Sequence, residues 1–194
     1  GDLPLIAEDL GDITVEVQAL RDRFELPGMK ILQFAFSNSP GAEVYLPYSY
    51  PSHCLVYTGT HDNDTTLGWF TAPPPADPRA AEVVAEERDF IRRYTGTSGA
   101  EIHWDLIRLA LSSVAATAIV PMQDILGLGS AARMNVPGLA EGNWAWRLRP
   151  GQFDAPARRR LAEMTASYGR WNGRVPPSLR PPRRPPNEEP FLGR

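Results

Sequence analysis

An α/β fold built on a parallel sheet is what this sequence predicts, on two observations. Short apolar runs ending in polar residues recur along the chain, and each is nearly continuous in hydrophobicity rather than alternating, as in strands covered on both faces. Segments with helical spacing separate the runs. Strand and helix in alternation imply parallel crossovers.

The runs are "LPLIAEDLG" at 3–11, "KILQFAFS" at 30–37, "CLVYTGTHD" at 54–62 and "ATAIVPMQD" at 116–124. Between the first two, residues 14–24 carry Val17, Leu20 and Phe24 at spacings of three and four, with Thr14 placed to cap a helix. Residues 80–94 set Val83, Val84, Phe90, Ile91 and Tyr94 on one side of a charged helix. In the next helix Ser98 and Glu101 have capping-box spacing ahead of an apolar stripe of Ile102, Leu106, Leu109 and Ala110. A last helix is expected over residues 157–168. The order is βαβαβαβ with about four strands, whereas an eight-stranded barrel takes roughly 250 residues. Half a barrel fits better than a whole one.

Two proline-rich stretches stand outside this pattern. "TAPPPADP" reads as a loop, because its prolines stop regular pairing. Residues 173–194 hold too few apolar side chains to fold, so this tail is expected to be extended or disordered, although its PxxP spacings also suit an aromatic groove. Domain organisation is therefore one barrel-half over 1–170 and a Pro-rich tail over 171–194.

Composition narrows the function classes. A formal charge of -3 gives no electrostatic reason to expect nucleic acid or an anionic membrane as partner. The single cysteine, Cys54, leaves no disulfide framework or thiolate metal site, and a reducing cytoplasm is the expected compartment. No run approaches the roughly 18 apolar residues of a membrane span, and the N-terminus has no basic, apolar leader pattern. An apolar run within two residues of the first position reads as a cut through a domain.

Catalytic groups of parallel barrels sit at the C-terminal ends of strands. Here those ends carry Glu8 and Asp9, then His61 and Asp62, then Gln123 and Asp124. A mouth lined with acids suits proton transfer and stabilisation of positive charge, the chemistry of sugar cleavage through an oxocarbenium-like transition state. Plainer readings compete: Glu8 and Asp9 as a strand end and turn, His61 as a structural histidine, Asp64 as a helix cap. A metal site of His61, Asp62 and Asp64 is disfavoured because no second histidine stands at ligand spacing. Aromatic residues follow the acids: Trp69 and Phe70, then Asn143, Trp144, Trp146 and Arg147 in "GNWAWR". Flat rings stack on sugar faces while amides and guanidinium groups bond hydroxyls, so the combination favours a carbohydrate.

The motifs "AEDLG" (7–11), "PGMKILQFAF" (27–36), "VYTGTHDNDTTLGW" (56–69), "PMQDILGLG" (121–129), "RMNVPG" (133–138) and "GNWAWR" (142–147) closely resemble, in order and spacing, the C-terminal half of the 4-α-glucanotransferases known as amylomaltase or disproportionating enzyme, glycoside hydrolase family 77. The resemblance covers roughly residues 1–170. It implies the C-terminal half of a (β/α)8 TIM barrel, of about four parallel strands with helices, and transfer of α-1,4-glucan segments between glucan acceptors by a retaining double displacement without metal or organic cofactor. α-1,4-Glucans and maltooligosaccharides are the implied partners. By the same resemblance Glu8 is the general acid/base, Asp62 the carboxylate that stabilises the transition state, His61 a donor-subsite ligand to the sugar and Asn135 an asparagine of the sugar-binding rim. Trp69, Asn143 and Trp144 complete the expected substrate-binding set.

Retention needs two carboxyl groups about 5–5.5 Å apart, one of them a nucleophile. In the family that nucleophile is an aspartate in an Arg-x-Asp-His-like motif at the end of the fourth barrel strand, and the motif is absent here. Asp9 cannot replace it, because neighbouring residues of a strand point to opposite sides. The chain alone is thus expected to be inactive. The competing reading is a non-catalytic carbohydrate-binding or oligomerising half-barrel that self-associates through open sheet edges; a hydrolase of the wider amylase type fits the "THDND" and "GNWAWR" context less well. Asp12, Val15 and "SYPSHC" depart mildly from the family pattern, and the tail beyond Arg170 no longer follows it.

Overall fold

The computed structural model describes residues 5–11 and 13–179. Three strands form one parallel sheet in the order β1 (Gly28–Ile31), β2 (Cys54–Tyr57) and β3 (Thr117–Ile119), with Gly28 opposite Cys54 and Leu55 opposite Thr117. Six α-helices accompany them among the described residues: α1 (Val15–Arg23), α2 (Thr66–Thr71), α3 (Pro78–Thr95), α4 (Ile102–Ser112), α5 (Met122–Ile125) and α6 (Ala155–Ser167).

The expected strands are all shorter than the apolar runs that predicted them. "KILQFAFS" leaves the sheet after Ile31 and winds into a 3-10 turn, Leu32–Phe36, so that Leu32 and Phe36 enter the core. The last run stops at Ile119, because Pro121 has no N–H to extend the ladder and the chain turns at once into α5. Residues 5–11 are not a strand. The Ala7 N–H donates to the Pro27 carbonyl at 3.0 Å and the Asp9 carboxylate takes the Met29 N–H at 2.7 Å, so the segment runs beside the start of β1 without a ladder.

One face of the sheet is covered by helices. Cys54 and Val56 pack with Leu32, Phe36, Phe70, Ile91, Ile102, Leu106 and Ala110. The other side of α4 presents Trp104, Ile107 and Leu111 to Ile125 and, in part, to Phe153, Leu161 and Met164. α4 is therefore apolar on two sides because it is buried on two sides. The Arg170 guanidinium closes its C-terminal end, donating to the carbonyls of Leu111 at 2.7 Å, Ser113 at 2.9 Å and Ala115 at 2.8 Å, where the helix leaves unpaired acceptors. Cys54 is a core residue: its thiol donates to the Pro51 carbonyl at 3.1 Å and burial pushes its pKa up.

Side-chain caps start three of the long helices. Thr14 caps α1, Asp77 caps α3 and Asp154 caps α6. At α4 the expected Ser98–Glu101 box is not formed; Glu101 is itself the capping position and its carboxylate pairs instead with Arg160 of α6 at 2.5 Å. α1 differs from the other long helices. None of its residues is buried, and Val17, Leu20 and Phe24 are 46%, 56% and 63% exposed. Of the Pro-rich tail, Pro177–Leu179 forms a 3-10 turn against α6, while the expectation of disorder over 180–194 lies outside the described residues.

Candidate active site

The Cys54–Tyr57 strand delivers the chain to a turn, residues 58–65, before α2 begins. Asn63 shapes it: its Oδ1 accepts from the Thr60 N–H at 2.8 Å and the Thr60 hydroxyl at 2.9 Å. His61 and Asp62 stand at the turn's crest, their side chains 56% and 49% exposed, with His61 Nε2 3.3 Å from Asp62 Oδ1. That is a charge pair whenever the imidazole is protonated.

A second loop closes on this crest. Asn135 donates from Nδ2 to Asp62 Oδ1 at 2.6 Å, and its backbone N–H donates to the His61 carbonyl at 3.0 Å. Arg133 bridges the two loops from one guanidinium, Nη2 to the Asp62 carbonyl at 2.7 Å and Nε to the Asn135 carbonyl at 2.8 Å. The Trp144 ring lies 5.1 Å from the His61 ring. Trp144 has φ 60°, a left-handed conformation uncommon for a bulky residue, and its N–H donates to the Met134 carbonyl at 2.7 Å. Such a backbone costs about 1–3 kcal/mol and persists only where surrounding bonds over-determine it. Asn143 supplies those bonds by accepting from Val136 N–H at 2.9 Å and donating to the Leu139 carbonyl at 2.9 Å. Its side chain is thus spent on the loop. A cleft of about 130 Å³ opens under the crest, lined by His61, Asn63, Asp64, Gln123, Arg133 and Met134 among others.

Beneath lies a buried support. Asp124, 2% exposed, accepts from the Thr58 hydroxyl at 2.5 Å, the Thr66 N–H at 2.7 Å and the Thr66 hydroxyl at 2.8 Å. Its neighbour Gln123 donates to the Ala132 carbonyl at 3.2 Å. Gln123 and Asp124 both line the cleft, as expected of the strand end, but as buried, hydrogen-bonded groups rather than a free acidic rim, because α5 starts directly after Pro121. Asp64 is not the helix cap either. Thr65 takes that place, accepting from Gly68 N–H at 3.0 Å, while Asp64 accepts the Ser130 hydroxyl at 2.6 Å. Gly68 is needed there, since a Cβ would stand 2.7 Å from the Ser130 backbone nitrogen.

The remaining expected residues lie apart from this constellation. Trp69 packs from α2 against the core. Glu8 is exposed on the segment beside β1, between the anchors made by Ala7 and Asp9. Asp9 is paired with Arg21 at 2.6 Å, and a Cβ at Gly28 would overlap its carboxylate. Sequence reasoning passed over Arg133, although it stands in "RMN", and missed the threonines that hold Asp124, which are separated from it by 66 and 58 positions and so carry no local signal. No group of three or more His, Cys, Asp or Glu able to hold a metal occurs among the described residues.

Comparison with known proteins meets this geometry. The family model described as 4-alpha-glucanotransferase matches residues 1–153. The 4-alpha-glucanotransferase of Synechocystis sp. is 52% identical over 170 residues, covering 87% of this chain and 32% of the relative. That of Thermus thermophilus is 49% identical, covering 88% and 33%. Among solved structures, the amylomaltase of Streptococcus agalactiae in complex with acarbose superposes with a TM-score of 0.79 at 34% identity, over 89% of this chain and 33% of that one. The chain spans about a third of the length of these relatives. It is an α/β part of the TIM-barrel architecture that amylomaltase has, and it belongs to the 4-alpha-glucanotransferase family.

Proposed function

We propose that this chain supplies the Asp62 side of a 4-α-glucanotransferase site, acting on α-1,4-glucans and maltooligosaccharides, and that its 194 residues alone do not turn substrate over. The observation that carries the reading is the Asp62 carboxylate held at the crest by Asn135, with His61 and Trp144 beside it. In this reading Asp62, ionised, faces the developing glucosyl cation, and electrostatic stabilisation of that charge is its contribution. His61 bonds a sugar hydroxyl, Trp144 offers an exposed face for stacking, and Asn135 holds Asp62 while bordering the sugar. Glu8 passes a proton to the leaving oxygen and takes one back from the acceptor hydroxyl. Trp69 and Asn143 act on substrate indirectly, through the core beneath α2 and through the Trp144 loop. An amylomaltase bound to acarbose as structural neighbour supports a glucan as ligand.

Purified chain incubated with maltotriose is expected to give no longer oligosaccharides; robust disproportionation would contradict the reading. Joined to the remainder of the Synechocystis sp. relative, the chain is expected to become active, and Asp62→Asn in that chimera to lower kcat by about 10²–10³. An unchanged kcat would remove Asp62 from the mechanism.

A second reading has its own support. β3 is an edge strand and α1 leaves Val17, Leu20 and Phe24 uncovered, so the isolated chain is expected to self-associate. Light scattering decides it, since a clean monomer would rule association out.

A further inference from the structure

We propose that Asp124 is the positioning residue of this site: from inside the protein it sets the shape of the crest that carries His61 and Asp62. The proposal rests on the reading of that crest as the face turned to substrate, but it is carried by different observations. A carboxylate 2% exposed is costly to bury, and no cation is paired with Asp124 among the described residues. What compensates it is a set of donors from both ends of one turn. Thr58 is the last residue before the crest and Thr66 the first of α2; Asp124 takes the hydroxyl of one and the hydroxyl and N–H of the other. Both threonines are fully buried. The carboxylate therefore fixes the separation of the two ends between which residues 59–65 must arch.

Its position on α5 extends this control to the opposing loop. Gln123 holds the Ala132 carbonyl at 3.2 Å, immediately before Arg133 and Asn135, which grip the Asp62 backbone and carboxylate. One four-residue helix thus anchors both loops of the rim. An asparagine in place of Asp124 retains an oxygen for the Thr66 N–H and an amide whose hydrogens the two hydroxyls accept by rotating. An alanine retains nothing.

The test reads the crest itself in the full chain. With the two rings 5.1 Å apart, the His61 ring carbon–proton resonances are expected to carry a ring-current displacement from Trp144, and Trp144→Ala is expected to give their undisplaced positions. Asp124→Ala is expected to lose that displacement while the far-ultraviolet spectrum keeps the helical content; Asp124→Asn is expected to retain it. A general loss of stability lowers the unfolding midpoint without moving His61 in the folded molecules. If His61 keeps its displacement in folded Asp124→Ala, or loses it equally in Asp124→Asn, the proposal is overturned. Should Asp124→Ala not fold, Thr58→Val decides: this removes one of the hydroxyls at constant volume and is expected to cause a partial loss, and full retention would overturn the proposal. None of these readouts requires turnover, so the catalytic reading of Asp62 can fail in the chimera while the positioning role stands.

Discussion

Two carboxylates expected to share one reaction are held very differently. Asp62 sits on a crest gripped from the side by Asn135 and Arg133 and supported from below by Asp124. Glu8 sits on a segment that meets β1 through the Ala7 N–H and the Asp9 carboxylate, followed by a helix, α1, with no buried residue. The difference shows where the chain's own packing suffices. The Asp62 side rests on strands and helices that this chain contains, whereas the Glu8 side and the apolar stripe of α1 face outward.

The largest effect that tests this contrast is in stability. Leu106, 0% exposed between α4 and the sheet, is expected to cost about 2–5 kcal/mol when replaced by alanine. Leu20→Ala on α1 is expected to stay within about 0.5 kcal/mol, since that side chain is already 56% exposed. Urea unfolding measures both. Equal costs would mean that α1 is packed after all.

A smaller effect sharpens the account of the crest. Asn135→Asp sets a second carboxylate where the amide bonds Asp62 at 2.6 Å, and the repulsion is expected to lower stability by about 1 kcal/mol, the scale of two unit charges at close range in water. Added salt is expected to restore most of that loss, because the Asp62 side chain is 49% exposed. A salt-independent loss would point to packing rather than charge.

The smallest is the pH response of the α4–α6 contact. The Arg160 hydrogen bond holds Glu101 below the usual carboxylate range, so the pair contributes above the unfolded carboxylate value and its contribution is lost as pH falls through the folded one. With Glu101 57% exposed, the contribution is at most about 1 kcal/mol. Glu101→Gln is expected to flatten the acid side of the stability profile slightly and to leave neutral pH and above with a small, constant loss. Unchanged acid-side curvature would show that the pair contributes nothing.

What the sequence made legible was local. The Thr14 cap, the charged helix α3 and the strand at "CLVY" depend on residues within a few positions of one another. The crest was legible too, because "THDND" sets its polar residues side by side. Other features depended on partners far along the chain. Asp124 looked like a rim acid until two distant threonines claimed it. Trp69 reads from the sequence as a sugar platform, and its packing against the core depends on how α2 docks against the loop at Ser130. The capping box at Ser98 gave way to Arg160, 59 positions from Glu101. The first strand is a different matter, since among the described residues its backbone bonding there comes down to the Ala7 N–H on the Pro27 carbonyl, just ahead of β1.

Residue-resolved hydrogen exchange of the purified chain tests the central contrast most directly. Local opening follows the density of buried contacts. Slow exchange is expected for the amides of Val56, Thr66 and Leu106 and for Asn135, whose N–H is bonded to the His61 carbonyl, and exchange faster by orders of magnitude throughout α1 and at Ala7. At a dilution where light scattering finds monomer, uniform protection across both regions, or a crest that exchanges as fast as α1, would contradict the contrast.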